Sequence, residues 1–187
     1  PELSRRDAAP DHAKLHFAGA LSRQVRNADG LAAMLSGYLR RPTRVEQFVG
    51  NWLPLPRTER TTIGGAPARR KSPSAQLGGG AVLGQMVWDR QHNFRVHVGP
   101  LDQEAFDSLL PQGRALPGLV AMVEQYIGVE LSWDLKLTLQ PDQVEPCRLG
   151  RQSRLGWTSW MAMKNRSRVA ELTLLPGPAL AGISSKH

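Results

Sequence analysis

The residues able to do chemistry are few and poorly assembled. The five histidines are His12, His16, His92, His97 and His187. His12 and His16 stand four apart, a spacing that can put two imidazoles on one helix face as metal ligands. No Glu follows His12, no third ligand is evident and Pro10 disturbs the local helix, so we read a surface or structural pair. The single cysteine, Cys147, lies between Pro146 and Arg148. An arginine can lower a thiol pKa, but no His or Asp is placed to use a thiolate, and the thiol reads as inert. The run Gly78–Gly80 lacks the G-x4-G-K-[ST] sequence of a phosphate cradle, and Gly78, Gly80 and Gly84 do not space as G-x-G-x-x-G. Asp102 and Glu104 fall at the start of a predicted helix, where carboxylates favour the helix dipole. With so little of a catalytic constellation present, we expect no enzyme, no cofactor, no metal and no small-molecule substrate.

Charge carries more information. The chain of 187 residues has 24 Lys and Arg against 16 Asp and Glu, a formal charge of +8. Residues 40–71 hold eight bases and two acids, and residues 148–187 hold seven and one, flanking a mildly acidic middle. The first block includes Arg57, Arg60 and the run Arg69–Arg70–Lys71, set among Gly64, Gly65, Pro67, Pro73 and Ser74 as a flexible basic loop. Such blocks can meet phosphates or acidic protein surfaces. A basic nucleic-acid-binding module is therefore the alternative reading, although no zinc-finger spacing or RNP-like aromatic strand accompanies the charge. The 41% hydrophobic content excludes a disordered chain, and the apolar runs are too short to span a bilayer. One cysteine excludes an internal disulfide framework.

Self-similarity indicates the elements that organise these residues. Leu77, Gly78, Leu83, Gly84 and Trp88 follow L-G-x4-L-G-x3-W, and Leu149, Gly150, Leu155, Gly156 and Trp160 repeat it 72 residues later. Leu31, Met34, Leu35 and Tyr38 form one helix face, repeated 88 residues later by Leu119, Met122, Val123 and Tyr126. The first copy therefore carries about 16 extra residues between helix and motif, where the basic loop 57–76 lies. Leu131, Trp133, Leu135, Leu137 and Leu139 alternate with polar residues as a strand with one apolar and one wet face. Phe94, Val96 and Val98 do the same, as do Ala170, Leu172 and Leu174. Residues 43–53 read as extended, and Asp102 caps a short helix carrying Phe106. In each L-G pair the leucine packs inward and the glycine permits a positive φ or close approach, with Trp88 and Trp160 as core anchors.

The expected architecture is α+β, a tandem duplication of a small unit whose helices pack on short antiparallel strands. The first unit is placed at 12–101 and the second at 102–175, with loose ends at 1–11 and 176–187.

The ordered stretches HFAGALSRQVRNADGLAAMLSGYL (16–39), VEQFVGNWLPLP (45–56), LGGGAVLGQMVWDRQHNFRVHVGPL (77–101), LLPQG (109–113) and LGWTSWM (155–161) resemble the TssG (VasB/ImpH) family of type VI secretion baseplate proteins. Family members carry a further N-terminal region, and the chain starts at Pro1, so the resemblance is to the C-terminal part. It implies a structural wedge component without catalysis, in the cytoplasm at a membrane-docked secretion apparatus and not itself inserted in the bilayer. The implied partners are TssF in two copies, TssK trimers and TssE, around a VgrG spike. It also implies partner-binding loops. By position these are 57–76, with Arg57, Arg60, Ile63, Arg69, Arg70 and Lys71, and the shorter 141–148, with Pro141, Pro146 and Arg148.

Overall fold

A computed structural model of the chain describes residues 11–61, 81–82, 84–128, 130–144, 154, 156–160 and 170–175. The order is α1 (Asp11–His16), α2 (Ala18–Leu21), α3 (Ala28–Leu39), β1 (Thr43–Glu46), β2 (Asn51–Pro54), β3 (Met86–Asp89) and β4 (Asn93–Leu101). Then follow α4 (Gln103–Ser108), α5 (Leu116–Ile127), β5 (Ser132–Leu139) and β6 (Ala170–Leu174). The mixture is α+β, as the alternating periods of the sequence predict. Two units form, one of residues 1–47 with 94–187 and one of residues 48–93.

In the larger unit both predicted helix faces point inward. Leu31, Met34 and Leu35 of α3 are buried, with Tyr38 half-buried, and Leu119, Met122, Val123 and Tyr126 of α5 are all buried. Asn27 caps α3 by accepting the Gly30 N–H on its side-chain oxygen at 2.8 Å. The Tyr126 hydroxyl reaches the same residue, donating to the Asn27 carbonyl at 3.1 Å and accepting its N–H at 3.3 Å. Arg26 lies over the Tyr126 ring, 5.0 Å from its centroid. The second helix thereby holds the start of the first.

These helices accompany a four-stranded sheet of order β1-β4-β5-β6. β1 and β4 are antiparallel, from Thr43 opposite Val98 to Glu46 opposite Arg95. β5 and β6 are antiparallel, from Leu135 opposite Leu174 to Leu139 opposite Ala170. Between β4 and β5 three contacts share one sequence offset: Arg95 with Asp134, Gly99 with Thr138, and Gln140 N–H with the Leu101 carbonyl. A constant offset is the mark of parallel strands, and α4 and α5 supply the crossover that a parallel pair needs. Phe94, Val96 and Val98 join Trp133, Leu135, Leu137 and Leu139 in the core, with Phe94 stacked on Trp133 at 6.3 Å.

The other face of the sheet is a ladder of opposite charges. His97 Nε2 meets Glu46 Oε2 at 2.7 Å, Arg95 grips both oxygens of Asp134, and Lys136 Nζ meets Glu171 Oε2 at 2.6 Å. The sequence predicts a wet face along β5, but Asp134 is only 5% exposed. β5 has neighbours on both sides, so its polar side chains are walled in, and the Arg95 guanidinium takes the place of water. That hydrogen bond holds Arg95 protonated even above its usual range.

Several other expectations need correction. Residues 43–53 are not one extended segment: they divide into β1 and β2, in different sheets, with Phe48 at φ 58° between them. Leu131 precedes β5 and is exposed. Trp88 is 51% exposed and anchors no core, whereas Trp160 is half-buried against the core of the larger unit. Each expected copy does contain a helix, a strand and an antiparallel partner. Ala170 lies opposite Leu139, at the far end of β5. The expected boundary between 101 and 102 falls within the larger unit.

Asp102 caps α4 as predicted, accepting the Ala105 N–H at 2.9 Å, and its second oxygen receives Arg41. The Ala105 amide, then Arg41, hold its carboxyl below the ordinary value, and a hydrogen bond from His97 does the same for Glu46. A lowered folded pKa stabilises above the unfolded value, and the gain is lost as pH falls through the folded one. Asp102→Ala should therefore melt below wild type at neutral pH, with the gap closing below about pH 4 in melts followed by circular dichroism. Removing Asp134 alone strands a partly buried guanidinium. Asp134→Ala should cost about 3 kcal/mol in urea unfolding, while Arg95→Met with Asp134→Leu should recover most of it.

Candidate functional site

The basic loop singled out by charge belongs to the smaller unit, residues 48–93. The chain departs for it after β1 and returns at β4, and Glu46 lies opposite Arg95 in the sheet. Departure and return therefore occur at neighbouring positions, so the excursion can vary in length without shifting the sheet.

Within this unit β2 and β3 form an antiparallel ribbon, from Asn51 opposite Asp89 to Pro54 opposite Met86. Backbone bonds extend it at both ends, Leu55 N–H to the Gln85 carbonyl at 2.8 Å and Val49 N–H to the Asn93 carbonyl at 3.0 Å. Beyond Leu55 a turn over Pro56–Glu59 is held by the Glu59 N–H on the Pro56 carbonyl at 3.0 Å. Arg60 Nε donates to the Leu55 carbonyl at 2.8 Å, and Val82 N–H donates to Thr61 Oγ1 at 3.0 Å. These bonds fix the base of the basic loop on both sides. At the other end Asp89 accepts the His92 N–H at 3.0 Å, and that bond lowers the carboxyl's pKa.

Trp52 and Trp88 stand opposite each other on one face of the ribbon, ring centroids 5.2 Å apart in an edge-on arrangement. They are 59% and 51% exposed, and Met86 beside them is 47% exposed. A Cβ at Gly50 would collide with the Trp88 indole, so the missing side chain at position 50 makes room for that ring. Asn51 Oδ1 is buried and without a partner among the described residues.

Of the expected loop residues, Arg57 is exposed on the turn and Arg60 is half-buried with its Nε engaged. Ile63, Arg69, Arg70 and Lys71 lie outside the described residues, as do Cys147, Pro146 and Arg148. Pro141 is exposed and opens a 3-10 turn, Pro141–Gln143, directly after β5. That turn starts a second excursion, which returns at β6, where Ala170 lies opposite Leu139. Because β4 and β5 are parallel, the two excursions leave the sheet at opposite ends. In the expected repeat, Leu77, Gly78, Leu83, Leu149, Gly150 and Leu155 lie outside the described residues. Gly84 and Gly156, each four residues before a tryptophan, both adopt the positive φ expected of them, 97° and 83°.

The aromatic face was missed from sequence because Trp88 was assigned to a core and Trp52 was given no role. Pro54 and Pro56 carried the available signal, since proline restricts a strand to an edge or short ribbon, where a large side chain has less to bury against. Among the described residues no group of His, Cys, Asp and Glu is arranged to hold a metal, and no helix is long and apolar enough to cross a membrane.

Comparison with known proteins places this architecture. A chain of the type VI secretion system TssK-TssF-TssG baseplate subcomplex, solved by cryo-electron microscopy, matches with TM-score 0.70 at 20% identity, over 94% of this chain and 72% of that one. A chain of the baseplate complex from the type VI secretion system matches with TM-score 0.51 at 21% identity, over 93% of this chain and 48% of that one. At such identities the likeness speaks to the fold. No curated protein sequence matches. The family described as "Type VI secretion, TssG" matches residues 1–162, and the chain belongs to that family.

Proposed function

We propose that the protein is a structural component of a type VI secretion baseplate, without catalysis, which joins TssF and TssK in one assembly. Family membership supports the secretion role, and the structural relative solved within a TssK-TssF-TssG subcomplex supports those two partners. Two copies of TssF, contact with TssE and a place around the VgrG spike belong to the same reading.

The observation that carries the partner-binding part is the excursion 48–93. A unit of its own, it leaves and returns through neighbouring strands and bears five of the eight bases of the first basic block. Loop 57–76 is the first candidate contact to TssK, and loop 141–148, in the second excursion, is the other. Two attachment points would engage two copies of a trimeric partner. The duplication read in the sequence accounts for the pair: each excursion lies between antiparallel strands and ends past a positive-φ glycine and a tryptophan.

Replacing Arg69, Arg70 and Lys71 together by Glu should weaken TssK capture at least tenfold in a pull-down from co-expressed chains, with TssF retained and the melting curve unchanged. Undiminished TssK capture would remove loop 57–76 from the contact. Tight, steeply salt-dependent binding of random duplex DNA by the wild-type chain would instead favour the nucleic-acid reading.

A further inference from the structure

We propose that the exposed indole pair Trp52 and Trp88 is a docking face for an acidic protein partner bearing an apolar pocket. The inference rests on the baseplate reading above and moves the main anchor from the basic loop to the ribbon that carries it.

An isolated two-stranded ribbon is marginal in water, and burial of its largest side chains is the usual way to stabilise one. Here those side chains stay out: Trp52 is 59% exposed, Trp88 51% and Met86 47%. Trp52 lies opposite Trp88 and Pro54 opposite Met86, so cross-strand pairing gathers these four residues on one face. Trp88 is also held in place. Its indole occupies the space over Gly50 and meets Trp52 edge-on, so little side-chain freedom remains to be lost on binding. Rigid, exposed aromatic residues of this kind dominate the energetics of protein interfaces, together with arginine.

Charge selects the occupant. Residues 48–93 contain six Arg and Lys against two acids, Glu59 and Asp89. Asp89 is half-buried and occupied with the His92 amide, and Arg57 is exposed on the turn that follows the ribbon. A partner with carboxylates beside an apolar pocket matches exposed indoles carried on a unit with an excess of basic residues. The same excess positive charge disfavours a second copy of this chain, which would bring like charges together.

The test titrates the full chain with TssK, comparing wild type with Trp52→Ser/Trp88→Ser, Gly50→Ala and Arg57→Glu. Loss of both indoles should weaken binding at least thirtyfold, the scale of an interface hot spot. Gly50→Ala keeps both indoles but displaces Trp88, and should weaken binding several-fold; an unchanged melting curve for each variant separates loss of the face from a misfolded ribbon. Arg57→Glu should have a smaller effect and flatten the salt dependence. Tryptophan fluorescence should be open to acrylamide in the free chain and shielded in the complex, and Trp52→Phe/Trp88→Phe should abolish that difference. Wild-type binding left unchanged by both indole variants overturns the docking face and leaves the baseplate reading standing. A wild-type chain that captures no TssK overturns both. Self-association lost with the indoles would give the face to a second copy, and single-stranded DNA capture lost with them would give it to nucleic acid; either result also overturns the proposal.

Discussion

The parallel contact between β4 and β5 is the joint on which the larger unit depends. Each flanking pair, β1 with β4 and β5 with β6, is antiparallel, and neither would be stable alone with one apolar face uncovered. Joining them aligns Phe94, Val96 and Val98 with Trp133, Leu135 and Leu137 in one core. The same alignment brings Arg95 onto Asp134 on the opposite face, where a carboxylate only 5% exposed would otherwise be destabilising. A slip of one residue along this joint would turn every apolar side chain of β5 away from the core. The ion pair therefore stabilises one register more than it stabilises the fold as a whole.

Strand direction at that joint has a consequence for the connections. Parallel alignment forces the long crossover through α4 and α5, and the Asp102 cap with its Arg41 partner marks where that crossover begins. It also sends the two excursions from opposite ends of the sheet. Their sequences are free of the alternation that the sheet demands, which is why the first can hold basic residues, prolines and glycines in a unit of its own.

Much of the sheet and helix pattern was legible because it rests on short-range periodicity. The stripes Leu31 to Tyr38 and Leu119 to Tyr126 were visible as helix faces, and the period-two run along β5 was visible as a strand. The Asp102 cap and the paired glycines Gly84 and Gly156 were legible for the same reason: a cap or a positive φ is a local event. Less of the candidate site could be read. The charge of loop 57–76 marked it as a surface, but only Pro54 and Pro56 hinted at the Trp52–Trp88 face, since an indole in a strand has the same sequence signature whether or not something covers it.

The amino-acid sequence by itself determined the α+β class, the inward helix faces, the position of the basic excursion and the family to which the chain belongs. Tertiary structure alone decided which strands are neighbours. It set Ala170 opposite Leu139, and Asp134 passed from a wet face to a buried ion pair. It also split residues 43–53 between two sheets and left Trp88 exposed. Periodicity specifies which side of an element is apolar, but not which element that side will meet. Pairing is chosen by the sum of contacts across the whole sheet, many of them between residues far apart in the chain.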